Sequence, residues 1–173
     1  VRIHSCLTPF VGDGLFHPTR NYGSSCPRAL RNWPARPALR FCSAVYNYAL
    51  AQNDWGNALQ ELDRFEEAAA HYREAVRIDP AFAEAQSNWG TALARMGHID
   101  EALTHWQEAV RINPDFAEVH SILGNALAQL GRLDDAAAHF RQALRIKPEL
   151  PGVAENLRRV ETVLQSKGPS TRP

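Results

Sequence analysis

An all-α stack of antiparallel helix pairs is the fold class this sequence predicts, and three observations predict it. Pro80, Pro114 and Pro148 recur every 34 residues, and Gly56, Gly90 and Gly124 keep the same interval. Between them the apolar residues fall at helical spacing. Residues 49–82, 83–116 and 117–150 align without a gap, and ten of their 34 positions are identical in all three, which internal duplication explains and chance does not.

Each unit reads as two helices. In the first, Ala51, Trp55, Ala58, Leu59 and Leu62 form an apolar stripe that Ala85, Trp89, Ala92, Leu93 and Met96 repeat. Asp63, Gly97 or Gly131 then closes the helix in a left-handed conformation, which aspartate tolerates less well than glycine. The second helix opens on Glu66-Glu67, Asp100-Glu101 or Asp134-Asp135, where carboxylates suit the positive end of the helix dipole, so these pairs are read as helix-start stabilisers and not as acid/base catalysts. The prolines stop the second helix.

Gly56, Gly90 and Gly124 lie in mid-helix, where glycine costs about 1 kcal/mol against alanine, so each implies close approach of a neighbouring helix. Tyr72, Trp106 and Phe140, with Trp55 and Trp89, are expected to supply most of the large buried surface.

A 34-residue helix-turn-helix with Gly at position 8, Ala at 20, an aromatic at 24, Ala at 27 and Pro at 32 resembles the tetratricopeptide repeat. The signature residues are Gly56, Ala68, Tyr72, Ala75 and Pro80, then Gly90, Ala102, Trp106, Ala109 and Pro114, then Gly124, Ala136, Phe140, Ala143 and Pro148. Two departures are visible: Trp55 and Trp89 stand where the family usually has leucine, and Asp63 replaces the turn glycine. The resemblance implies a right-handed α-solenoid. It also implies that residues 151–166 form an extra helix capping the array, with Val153, Leu157, Val160 and Leu164 on its apolar face. The residues after it are expected to be a disordered tail.

Upstream of Ala49 the period fades. Residues 1–48 carry six arginines against Asp13 alone, together with helix-breaking prolines and glycines, and are expected to be irregular. A degenerate half-repeat is expected at 35–48, where Ala38-Leu39-Arg40 echoes Ala75-Val76-Arg77, with Phe41, Val45 and Tyr48 against the first unit. An Arg-rich start also suits organelle targeting, yet no amphipathic helix is legible there. The chain begins at Val1 and has Met96 as its only methionine, which points to trimming, a fragment or an unusual start.

Composition excludes several classes. Lys+Arg and Asp+Glu both number 19, so the net charge is zero, but residues 49–150 hold 16 acidic and 9 basic side chains, a net of −7 that disfavours specific nucleic-acid binding. No apolar run reaches the ~18 residues of a membrane-spanning helix, and no secretory signal is legible, so a cytoplasmic protein is expected. Cys6, Cys26 and Cys42 are odd in number and lack CxxC spacing, which predicts free thiols and, with His4 or His17, no zinc site. His71, His105 and His139 share one repeat position, too far apart for joint ligation of a metal, and are read as outer-face or packing residues. No phosphate loop, nucleophile elbow or HExxH motif occurs, so no catalysis and no cofactor are expected.

In the resembled family the first helices line a concave groove that holds an extended peptide or a partner helix. Carried over residue by residue, the candidate groove is Asn53, Asp54, Asn57 and Gln60 in unit one and Glu84, Ser87, Asn88, Thr91 and Arg95 in unit two. Unit three adds Glu118, Ser121, Ile122, Asn125 and Gln129. Most are neutral and polar, and amides carry both donors and acceptors for a peptide backbone. Family members that grip acidic chaperone tails use a lysine/arginine clamp, and Arg95 is the only base in this set. The likeness extends to repeat arrays attached to glycosyltransferases, the O-linked N-acetylglucosamine transferases included, whose grooves are lined by asparagines. The function expected is therefore a non-catalytic protein-interaction module or scaffold, with a substrate-presenting arm of a glycosyltransferase as the alternative. The sequence leaves the oligomeric state open.

Overall fold

The computed structural model describes residues 35–166. They form seven helices: α1 (Ala35–Glu61), α2 (Phe65–Ile78), α3 (Ala83–Arg95), α4 (Ile99–Ile112), α5 (Ala117–Gln129), α6 (Leu133–Ile146) and α7 (Val153–Ser166). Helices pair as α1·α2, α3·α4 and α5·α6, each pair packs on the next, and α7 closes against α6. The fold is thus an all-α stack of helix pairs.

Turn chemistry explains the hairpins. Asp63, Gly97 and Gly131 have φ of 55°, 88° and 75°, the left-handed region that reverses the chain after the first helix of each pair. Arg64, His98 and Arg132 precede the second helices without a side-chain cap. The acidic first turns stand in for one. Glu67 and Asp135 are also ion-paired three residues back, to Arg64 at 2.6 Å and Arg132 at 2.6 Å.

The mid-helix glycines are seats for aromatic rings. A β-carbon on Gly56 would lie 2.6 Å from the Tyr72 ring, one on Gly90 2.8 Å from Trp106, and one on Gly124 2.6 Å from Phe140. The approaching ring therefore comes from the unit's own second helix. Tyr72, Trp106 and Phe140 are buried as expected. Trp55 is not: it is 59% exposed, and Trp89 is only partly buried. The contribution of Trp55 to the core is corrected accordingly, because among the described residues no second helix precedes its unit to cover it.

The irregular segment expected up to residue 48 is also revised. Residues 35–48 continue α1 as one helix of 27 residues, so the N-terminal half-repeat has no turn before Ala49. Tyr48 points outward, 55% exposed, and Tyr46 is the ring beside the first unit, 6.4 Å from Phe82. Residues 1–34, with Cys6, Cys26, His4 and His17, and the tail 167–173 lie outside the described residues. Among the described residues no helix is long and apolar enough to cross a membrane, and no group of His, Cys, Asp and Glu is placed to hold a metal ion.

Candidate functional site: the inner face of the first helices

First helices lie side by side, α1 against α3 and α5 against α7, which gives the array one face made of first helices alone. Hydrogen bonds between units hold that face in register. Asn88 Nδ2 donates to Asn53 Oδ1 and to Asn57 Oδ1, both at 3.0 Å, and Asn156 Nδ2 donates to Asn125 Oδ1 at 2.9 Å. Tyr72 Oη donates to Asn57 Oδ1 at 2.9 Å.

These bonds commit one half of each amide. Asn57 Oδ1 accepts twice, so Asn57 has its Nδ2 donor left for a ligand; Asn88 uses both N–H groups and keeps its Oδ1 acceptor. Asn125 accepts from α7 and keeps its donor. Along the face the outward sequence is donor, acceptor, donor.

Not every predicted position reaches the surface. Asn53 is fully buried and Ser87 is 5% exposed, so neither touches a ligand, and both are corrected from groove residues to supports. Asn53 Oδ1 anchors Asn88, while its Nδ2 has no partner among the described residues. The Ser87 carbonyl accepts from Thr91 Oγ1 at 3.0 Å and from the Trp106 indole at 3.2 Å. Thr91 is thereby turned inward. Gln60, Ser121 and Ile122 are half-buried, and Asp54, Glu84, Glu118, Asn125 and Gln129 are exposed. Ile122 occupies the repeat position of Asn88 and Asn156, so the amide ladder is interrupted between units two and three.

The charge of the face is acidic. Arg95 is held beside Asp63 at 3.5 Å and over the Phe65 ring at 4.9 Å. Glu118 pairs with Lys147 at 2.9 Å, and that ammonium holds its carboxyl below the usual carboxylate range. Burial, and secondarily Glu84, pushes the Tyr72 phenol up to about 12, so it stays a neutral donor to Asn57.

Sequence reasoning missed Tyr72 as a hydrogen-bond donor, Lys147 and Asn156. Asn156 was recoverable: it lies two repeat lengths beyond Asn88. Lys147 was not, because it reaches Glu118 from 29 residues away across the unit.

The histidines are packing residues. His71 stacks on Trp55 with centroids 4.8 Å apart and bonds Gln52 at 2.7 Å; His105 stacks on Trp89 at 3.9 Å and bonds Gln86 at 2.8 Å. In unit three the glutamine is replaced by His120, whose Nδ1 lies 3.0 Å from His139 Nδ1.

A stack of helix pairs with an inner face of first helices defines a helical-repeat scaffold. Family comparison makes it specific: the descriptions "TPR repeat" and "Tetratricopeptide repeat" match residues 56–97 and 87–151. The chain is a tetratricopeptide-repeat protein. No curated protein matches it at a significant level. Among solved structures it is similar to the first TPR of Spaghetti (RPAP3) bound to an HSP90 peptide, SRMEEVD. That match has 23% identity and a TM-score of 0.66, over 69% of this chain and 94% of that one. It is also similar to the first TPR domain of human RPAP3, with 24% identity, 72% and 98% coverage and a TM-score of 0.65. The TPR domain of Sgt2 from Aspergillus fumigatus matches with 18% identity, 72% and 84% coverage and a TM-score of 0.64. At these identities the likeness is one of fold.

Proposed function

We propose that this chain is a non-catalytic interaction module that binds an extended, uncharged peptide segment on the inner face of α1, α3 and α5. The observation that carries the reading is the donor, acceptor, donor order left by Asn57, Asn88 and Asn125 once their bonds within the scaffold are made. Peptide backbone offers complementary carbonyl and N–H groups whatever its side chains, so preorganised amides read backbone.

The solved relative named above holds an acidic HSP90 peptide. Transfer of that ligand class to this chain is disfavoured by charge. Arg95 is the one base against Asp54, Glu84 and Glu118 in the candidate set and is already placed beside Asp63, so an acidic tail meets net repulsion. The asparagines also favour a second reading, the substrate-presenting arm of a glycosyltransferase; none of the similar structures named above is a transferase.

Asp variants test the assignment without dismantling the ladder. Asn57→Asp and Asn125→Asp keep the Oδ acceptors for Tyr72, Asn88 and Asn156 while removing the outward donors. A partner captured by the full chain, titrated calorimetrically against parent and double variant, should bind at least about tenfold more weakly to the variant. Gln107→Glu on the exposed face of α4 is the control. Arg141 does not serve as one, since it pairs with Glu161 of α7 at 2.6 Å. Undiminished binding to the double variant, with loss on Gln107→Glu, would place the interface on the second helices.

A further inference from the structure

The three units carry the same inner-face positions but do not fill them alike. In unit one the ring of Tyr72 ends in a hydroxyl that donates to Asn57 Oδ1 at 2.9 Å and lies 3.5 Å from Gln60 Oε1. In unit two the Trp106 indole donates to the Ser87 carbonyl at 3.2 Å and lies 3.4 Å from Thr91 Oγ1. Unit three has Phe140 at the ring position and Ala128 in place of Gln60, so it has neither the hydroxyl nor the amide. A cavity of about 320 Å³ opens there between α5 and α7, with Ala128 and Val160 over the covered Phe140 ring and with Asn125, Asn156 and Arg159 at its polar rim.

Two groups at that rim have hydrogen-bonding capacity to spare. Asn57 Oδ1 accepts from both Tyr72 and Asn88, whereas the equivalent Asn125 Oδ1 accepts one bond among the described residues, from Asn156. Its unused lone pair corresponds to the one that receives the Tyr72 hydroxyl in unit one. Arg159 stands at the repeat position of Thr91. Its Nε donates to Glu155 at 3.2 Å, but Arg158 pairs with the same carboxylate at 3.0 Å. One negative charge thus answers two guanidinium groups, and the terminal N–H groups of Arg159 are left for a ligand.

Building on peptide binding at the inner face, we propose that this cavity is a specificity pocket for one tyrosine side chain of the bound peptide. A phenol brings what unit three lacks. Its ring covers the apolar floor of Ala128 and Val160, and its hydroxyl donates to Asn125 Oδ1 while accepting from Arg159. The scaffold makes the first of those bonds itself in unit one, through Tyr72. Other side chains each miss one requirement: phenylalanine has no hydroxyl, a carboxylate has no proton to give Asn125, and serine or threonine leaves the apolar floor uncovered.

N-acetyltyrosinamide titrated into the full chain tests this, followed by the side-chain NMR signals of Asn125, Asn156 and Arg159. Those signals should shift saturably at millimolar concentrations, and N-acetylphenylalaninamide should bind about tenfold more weakly, the effect of one hydrogen bond. Phe140→Tyr and Ala128→Gln each return a group that unit one carries, so each should abolish the response from within the scaffold. Helical circular dichroism should be unchanged, above all for Ala128→Gln, whose site is half-buried at the cavity's edge. No shift up to roughly 50 mM, equal affinity for the two amides, or a response that survives both variants overturns the tyrosine pocket. Tighter binding of N-acetylglutamic acid amide overturns it in favour of an acidic side chain. The inner-face reading fails separately: a captured partner that binds the Asn57→Asp, Asn125→Asp variant as well as the parent refutes that reading, and shifts produced in the parent by the tyrosine amide still establish the pocket.

Discussion

Replacing Gly124 by alanine sets helix propensity against packing. Alanine in mid-helix is worth about 1 kcal/mol over glycine, so on propensity the variant is the more stable protein. Packing opposes it. The new β-carbon would lie 2.6 Å from Cδ1 and Cε1 of Phe140 and 2.9 Å from its Cζ, all closer than carbon atoms pack. Phe140 is fully buried, so its ring retreats only into occupied space. Overpacking of this kind costs about 1–3 kcal/mol, and with three ring atoms in conflict the upper part of that range applies. Net destabilisation is expected at about 1–2 kcal/mol, a fall of a few degrees in melting temperature for a chain of this size. Gly97→Ala is the contrast. It meets nothing within 4 Å but has φ of 88°, so its cost of about 1 kcal/mol is backbone strain that no side-chain change relieves. Urea unfolding followed by circular dichroism should show that Phe140→Leu partly rescues Gly124→Ala and leaves the cost of Gly97→Ala unchanged. A Gly124→Ala protein as stable as the parent, or purely additive double variants, would refute the ring-on-glycine account.

Two further outcomes follow from the packing. Burial lowers the pKa of His105, and burial followed by the proximity of His120 lowers that of His139, with Asp135 opposing and Arg132 adding slightly. Both groups resist protonation in the folded chain more than in the unfolded one. Stability attached to them is therefore present above the ordinary histidine pKa of 6.5 and is lost as pH falls below it toward the lowered folded values. Urea midpoints measured from pH 7 to 5 should fall for the parent and fall less for His105→Gln with His139→Gln; equal slopes would count against the assignment. Removing residues 151–173 strips Val153 and Val160, which are 1% and 6% exposed, from the end of the array and breaks Arg141–Glu161. The loss is expected at about 3–5 kcal/mol from the two valines and their partly buried neighbours, read as a lower urea midpoint; unchanged midpoints would remove the capping role.

What the sequence determined by itself was everything that recurs at 34 residues. Proline stops, left-handed turns at Asp63, Gly97 and Gly131, and the pairing of a small residue with an aromatic sixteen positions later are local or intra-unit physics, so three copies state them three times. The candidate amide-bearing face came instead from the family resemblance, since its asparagines do not recur in every unit: Asn57 and Asn125 flank Thr91, and Asn88 answers to Asp54 and Ile122. Tertiary structure decided what repetition cannot express, namely which copies have a neighbour. Trp55 and Trp89 share one repeat position and stack on equivalent histidines, yet among the described residues only the unit of Trp89 follows a second helix, α2, which packs on α3. Asn53 and Ser87 sank below the surface because a bond to the next unit and a carbonyl shared with Trp106 hold them there. Which half of each asparagine faces out was likewise fixed by partners 15 to 35 residues away, since an amide has no preferred side until another helix takes one.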